Sequence, residues 1–437
     1  MEIKIMFTNE ITREGCLSLH PRMAKTLGIV HPTERLIKFG NLTSMAKIYP
    51  SSYLQLNEAG ISGDLMDKLS LPSGCRLEVQ KTKNEIQIGP FIGILAGYNK
   101  KSINQKLIDL DDYLLHYRDI KGAIFVFCIE NIDKVNHTLT GYMYNPRSKS
   151  WEEGTYPYPS SIIVMTGSVS NKWIQHFQSV IGDNVYNNFD LNRWKMYQRL
   201  VDSIEIKHYL PSSLIYENPE QLFSFLKKNP FAVVKSIYMT KSSTAFTFSR
   251  EGFYIVAKNM KNGKTTKINC VKKDQSYEFF SKHFKEGKFI IQEFLNVNII
   301  QAIHLQAHLV KNQDGEWESA GIFGKQATLS EKHSPIFKID KDTLKNGLKF
   351  SDLISEMILN EILHIALDVV KVIEKSGDHF ATASINMMVD ERGRIQVYDI
   401  HHCNPSYEIA LIAGYPELYY NALKTNMLYA KKLAGFY

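Results

Sequence analysis

The stretch HFATASINMMVDERGRIQVYDIHHCNP, His379–Pro405, decides how this chain is read. It has the form of two strands joined by a tight turn at Asp390-Glu391-Arg392-Gly393, where glycine takes the positive φ that a short hairpin needs. Side chains alternate faces along a strand. Thr382, Ser384 and Asn386 therefore share one face of the first strand, and Asp399 and His401 share one face of the second. If those faces coincide, an amide, a carboxylate and an imidazole meet on adjacent rigid strands, groups able to hold a metal or a phosphate. The plainer reading is the polar solvent face of an ordinary hairpin, and spacing alone does not choose between the two.

Outward from that hairpin the C-terminal half alternates strands and helices. Ser351–Glu374 is the longest helical pattern, with Ile354, Ile358, Ile362, Ile365, Val369 and Ile373 at helical spacing and Gly377 as the stop. Pro416–Ala434 reads as a final helix. Ile303–Val310 and Glu316–Phe323 form a hairpin around Gln313-Asp314-Gly315, and Phe289–Leu295 is a strand. Phe231–Val234 is a short strand closed by Lys235, whose ammonium emerges at a fixed place. The following SIYMTKSSTAFTFSREGFYIVAK reads as a hairpin with a hydroxyl-rich tip. Asp190–Asp202 is an amphipathic helix, and Pro219–Lys228 another.

The first part reads as short strands, Glu2–Phe7, Arg35–Phe39, Ala46–Tyr49, Arg76–Gln80 and Glu85–Ile88, with helical turns at Pro21–Leu27 and Asp64–Lys68. Short strands at this spacing suggest a small barrel. Next, Gly89, Gly93 and Gly97 mark a strand whose backbone could approach a ligand closely. A helix Ser102–His116, strands Gly122–Cys128 and Thr138–Tyr144, and a helix Lys172–Gly182 suggest a small open α/β domain.

Composition narrows the function classes. With 437 residues there is room for two or three domains, and 44% hydrophobic with 22% charged side chains is the balance of a soluble globular protein. The apolar runs Gly89–Gly97 and Gly122–Ile129 are the size of buried strands, not membrane spans, and the acidic start is no secretion signal. Cys16, Cys75, Cys128, Cys270 and Cys403 show no CxxC spacing, which implies reduced thiols in the cytoplasm and argues against structural zinc. The net charge of +7 favours anionic partners. Lysines 258, 261, 264, 267, 272 and 273 read as a solvated face, and no helix-turn-helix, zinc-finger or RRM pattern supports nucleic acid, leaving anionic lipid or nucleic acid as minor alternatives.

The order of these elements resembles the ATP-grasp superfamily and, more narrowly, the YheC/YheD endospore coat-associated group. The residues that carry the resemblance are IQIGPFIGIL (Ile86–Leu95), FDLNRWKMYQRL (Phe189–Leu200) and the ordered frame FAVVKSI, FIIQEFL, DGEWESAGIF and VDERGRIQVYDIHHCNP. The resemblance implies a small N-terminal β domain at 1–88, an α/β pre-ATP-grasp domain at 89–185, and an ATP-grasp domain of two α+β subdomains at 186–437. It implies that Lys235 and Arg193 meet phosphate, that Gln292, Glu293 and Phe294 form the hinge that meets adenine, and that Asn386, Asp399 and His401 occupy the metal positions. His304 takes the place of the family's arginine in the strand after the hinge and is paired with Lys325 as the catalytic assignment.

This chain departs from that pattern at the chemistry. The family's glycine-rich phosphate loop is matched by Met239-Thr240-Lys241-Ser242-Ser243-Thr244, without glycine. Asp399 is the single carboxylate among the metal positions, and magnesium prefers carboxylate oxygen to imidazole. The expectation is therefore weak or absent binding of ATP and Mg, and a pseudoenzyme acting as a binding or structural protein of the spore, with spore coat proteins as partners. The alternative is an active ATP-dependent ligase joining a carboxylate to an amine. Lys235, Glu293 and Asp399 are expected to line one cavity.

Overall fold

The structure is a computed structural model describing residues 2–7, 14–82, 85–167, 169–188, 191–238, 245–294, 302–326, 335–402 and 404–437. Seven strands between Glu2 and Gly89 close into a barrel, as the run of short strands suggests. Cys16–Leu19 and Glu58–Ile61 join it although neither reads as a strand alone; their pairing with each other and with Leu42–Pro50 and Glu2–Phe7 supplies what local propensity lacks.

A second sheet follows, in the order Ser150–Pro157, Thr138–Asn145, Ala123–Asp133, Phe91–Gly97, Ser161–Val164 and Val185–Tyr186, with parallel pairing at its centre. The glycines expected on one strand fall on two, Gly89 ending the barrel strand Glu85–Gly89 and Gly93 and Gly97 on this sheet's central strand, and they serve packing. A Cβ at Gly89 would meet the Phe436 ring at 2.6 Å, at Gly93 Pro159 at 2.5 Å, and at Gly97 Ser102 at 2.4 Å. Helix Lys100–Leu110 stops short of the expected His116, because Asp111 and Asp112 turn to accept from the Trp151 indole and the Tyr419 hydroxyl.

The third sheet runs Ser213–Ile215, Phe289–Glu293, Phe231–Ser236, Ala245–Glu251, Tyr254–Asn259 and Thr265–Asn269. Helices Pro219–Lys228 and Lys273–His283 cover one face through Phe223, Phe225 and Phe280, packed on Val234, Phe248 and Ile268. Lys235 lies inside its strand, one residue before the end. Phe231–Ser236 and Ala245–Glu251 pair antiparallel on either side of the hydroxyl-rich stretch, and Ala245–Glu251 pairs in turn with Tyr254–Asn259 around Gly252-Phe253, where Gly252 has φ 57°. The Met239–Thr244 stretch lies outside the described residues.

The fourth sheet runs Phe337–Lys338, Trp317–Gln326, Ala302–Lys311, Thr382–Asp390 and Ile395–His401. Helix Asp352–Glu374 backs it; Ser351 caps its start by accepting from the Ile354 amide. Ile358, Ile362, Ile365, Val369 and Ile373 enter the core, but Ile354, in the first turn and beyond the sheet's edge of cover, is 45% exposed. The last helix, Pro416–Leu433, ties this sheet to the earlier ones. Ser161 donates to the Ala430 carbonyl at 2.8 Å, Tyr186 to the Asn426 amide oxygen at 2.8 Å, and Lys431 to Glu78 at 2.9 Å.

Candidate functional site

Arg193 opens the helix Arg193–Val201, whose start Asn192 caps by accepting from the Lys195 amide. Its Nε and Nη2 donate to the Asp399 carboxylate at 3.0 and 2.9 Å, a bidentate fork. Its Nη1 donates to the backbone carbonyls of Ser236 at 2.9 Å and Tyr238 at 3.0 Å. One guanidinium thus joins the third sheet, through Ser236, to the fourth, through Asp399.

The hairpin of His379–Pro405 sets Asp399. Asn386 stands directly opposite it and Ser384 opposite His401, so the two polar faces do coincide. The register shifts between Asn386 and Met387, leaving Tyr398 as an extra residue. A bulge leaves the extra residue out of the ladder, and the Tyr398 carbonyl accepts from Lys235 Nζ at 2.6 Å. The same Nζ is 3.9 Å from Asp399.

Two cations therefore face one carboxylate in a mostly buried place; the side chains of Arg193, Lys235 and Asp399 are 14%, 11% and 12% exposed. Burial alone would raise the Asp399 carboxyl, but the charges of Lys235 and Arg193 outweigh it and hold the group at about 2. Burial pushes the Lys235 ammonium down to about 8, against the pull of Asp399 and with the push of Arg193. His401 is likewise pushed down by burial, opposed by Asp399 and helped by the two cations.

A cavity of about 40 Å³ adjoins these groups, lined by Arg193, Lys235 and Asp399 with Tyr197, Gln292 and Tyr398 among its other walls. That is space for about one or two waters, against roughly 300 Å³ at the lower end of small-molecule pockets. Glu293, expected in this lining, is not part of it. Neighbours on a strand face opposite ways, and Gln292 takes the cavity side, with its amide nitrogen donating to Ser213 Oγ at 3.2 Å. Phe294 lies over the His304 ring at 6.4 Å with the planes 18° apart. His304 and Lys325 are a direct cross-strand pair, Lys325 exposed, and neither lines the cavity.

The metal positions share a face without forming a ligand set for magnesium. Both Asp399 oxygens accept from Arg193, so a guanidinium stands against the one carboxylate. Asn386 Oδ1 is buried without a hydrogen-bond partner among the described residues, and His401 offers nitrogen. Among the described residues no cluster of three His, Cys, Asp or Glu could hold a metal. These residues as arranged do not fit a hard divalent cation, which needs several oxygen ligands.

His308 is a member of this face that sequence reasoning passed over. It pairs with Ser384, is buried, and neither ring nitrogen has a partner among the described residues. Burial, with His401 nearby, pushes its imidazole down to about 4. The alternation His304, Gln306, His308 was the signal that could have found it. Asp190, the expected start of the Arg193 helix, and Cys403 lie outside the described residues.

With this geometry in place, the chain can be set beside known proteins. A family model described as YheC/D like ATP-grasp matches residues 182–433, more than half of the chain. The endospore coat-associated protein YheD of Bacillus subtilis (strain 168) is 22% identical over 291 residues, covering 63% of this chain and 62% of that protein. The endospore coat-associated protein YheC of the same organism is 20% identical over 224 residues, covering 48% of this chain and 59% of that protein. The chain thus spans about three-fifths of the length of the curated relatives it matches. Similar solved structures include the ATP-grasp ligase PsnB with minimal precursor, Mg and ADP, at 11% identity and TM-score 0.44 over 77% of this chain and 97% of that one. Another is the D-alanine-D-alanine ligase of Coxiella burnetii, at 10% identity and TM-score 0.45 over 78% and 92%.

Proposed function

This chain belongs to the YheC/D-like ATP-grasp family, and from that membership we propose that it acts as a binding or structural protein associated with the endospore coat, with an ATP-grasp site that does not use Mg-ATP. The relatives' names supply the coat association. What supports the loss of metal use is the Arg193 guanidinium, which is bonded to both oxygens of Asp399. An internal cation neutralises the carboxylate that magnesium needs, and does so without phosphate. The remaining positive charge of Lys235 leaves the site attractive to a simple anion, metal or no metal.

An active carboxylate–amine ligase is the second reading. It is favoured by Lys235 and Gln292 lining one cavity with Asp399. Calorimetry separates the two. Wild type titrated with ATP should show weak heat that magnesium does not change. Asn386→Asp/His401→Asn supplies oxygen ligands and should gain magnesium dependence. Micromolar, magnesium-dependent ATP binding by wild type, with phosphate release when carboxylate and amine donors are present, would overturn the binding-protein reading.

A further inference from the structure

The third sheet and its helices carry most of the chain's net positive charge. Residues 245–288 hold ten Lys and Arg against four Asp and Glu, which accounts for six of the seven net charges. The topology gathers part of that charge at one end. Strand Ala245–Glu251 finishes there, Tyr254–Asn259 starts there, Thr265–Asn269 finishes there, and helix Lys273–His283 starts there. Backbone bonds close the end: the Arg250 amide donates to the Pro230 carbonyl at 2.8 Å, and the Cys270 amide to the Phe253 carbonyl at 2.9 Å.

Basic and apolar side chains meet on this surface, with the exposed acids Glu251 and Asp274 as a minority among them. Lys228, Arg250, Lys267, Lys272 and Lys273 are exposed around it. At its centre Phe253 is 72% exposed, Val271 67% and Tyr254 40%. Lysine stems lie on rings: Lys267 Nζ is 4.5 Å from the Tyr254 centroid, and Lys273 Nζ 6.0 Å from that of Phe223. In the sequence the lysines look like a solvated face. The fold adds what spacing conceals, since Phe253 and Val271, on two different turns, become neighbours inside the ring of charge.

We propose that this end of the lobe is a docking surface for an anionic lipid membrane. Phe253 and Val271 enter the headgroup region, while the surrounding Lys and Arg meet lipid phosphates with their stems lying along the apolar boundary. The charge is complementary to a phosphate-bearing surface. The placement selects a membrane over a nucleic acid: the exposed groups crown turns instead of lining a groove along which a strand could run. The surface is at the Phe231 end of the strand whose other end carries Lys235, so it is independent of the Arg193–Asp399 site.

The test is co-sedimentation of the full chain with vesicles of phosphatidylcholine alone and of phosphatidylcholine with phosphatidylglycerol. Binding is expected only to the second, and it should weaken with salt. Lys272→Glu/Lys273→Glu and Phe253→Ser/Val271→Ser should each weaken it by about tenfold or more. All four positions are exposed, so urea unfolding of both variants should match wild type, which separates lost binding from lost folding. Equal binding to both vesicle types would overturn the proposal. So would undiminished binding by the Phe253/Val271 variant, which would mean attraction by charge alone. Tighter binding to a single-stranded oligonucleotide than to the vesicles, with the same residue dependence, would replace the membrane with a nucleic acid.

Discussion

Replacing Arg193 by methionine isolates the guanidinium while keeping most of the side-chain length. The variant leaves Asp399 mostly buried with Lys235 at 3.9 Å as its remaining counter-charge. Breaking a buried ion pair costs roughly 3–5 kcal/mol, and the residual Lys235 interaction places this case near the bottom of that range, about 3 kcal/mol. The carbonyls of Ser236 and Tyr238 also lose a donor, but Tyr238 is exposed and water replaces it there. The carboxyl gives a second measure. Its pKa is lowered from 3.8 to about 2 in the folded chain. That corresponds to about 2.5 kcal/mol, shared between Arg193 and Lys235. A depressed carboxylate contributes stability that is present in full above about pH 4 and is lost as pH falls from there through 2. Urea unfolding of wild type and Arg193→Met should therefore differ by about 3 kcal/mol at pH 7 and progressively less below pH 4. In a double-mutant cycle with Asp399→Asn the coupling should be about 2 kcal/mol. A loss under about 1 kcal/mol at pH 7, or one that does not shrink in acid, would refute the reasoning.

Lys235 makes the opposite contribution at pH 7, a cost of burying its charge that is relieved as pH rises. Its folded pKa lies near 8 against 10.5 for the free side chain, so wild type should gain stability relative to Lys235→Met by about 3 kcal/mol between pH 8 and 10.5, read by urea unfolding at both ends. Inorganic phosphate binding, followed by calorimetry, should weaken over the same rise as the ammonium discharges. Asp390 accepts from the Arg392 and Arg394 amides and from Arg394 Nε at 2.6 Å, so Asp390→Ala should cost about 2 kcal/mol by loosening the hairpin turn, visible as faster amide exchange along Thr382–Asp390. Ile362→Ala should cost about 3 kcal/mol and Ile354→Ala less than about 0.5, measured by thermal or urea unfolding, because only the first is buried.

The parts of this molecule that could be read from sequence are those fixed by short-range periodicity. Counting by two groups Ser384 with Asn386 on one strand and Asp399 with His401 on the other, but counting back from the Asp390–Gly393 turn sets Asn386 opposite Tyr398; the register shift after Met387 is what brings Asn386 to Asp399 and Ser384 to His401. Counting by helical turns finds Ile358 through Ile373, and fails at Ile354 because periodicity does not say where the covering sheet ends. Strands such as Thr265–Asn269 escape notice because their polar side chains carry little strand signal and edge pairing forms them. The contact between Arg193 and Asp399 spans 206 residues, and no local pattern encodes it. The bulge at Tyr398 is equally silent in the sequence, yet it supplies the carbonyl that Lys235 occupies. Of the hinge residues Gln292, Glu293 and Phe294, the one expected in the cavity, Glu293, is out of phase by one residue with the one that lines it, Gln292, and one residue along a strand reverses the face.

The central claim is that Arg193, and not a metal, answers the charge of Asp399. A crystal structure grown with ATP and excess magnesium tests it directly. The account predicts that Arg193 Nε and Nη2 still bond both Asp399 oxygens, with no magnesium on that carboxylate. Magnesium coordinated by Asp399 and by ATP phosphates, with the guanidinium displaced, would contradict it.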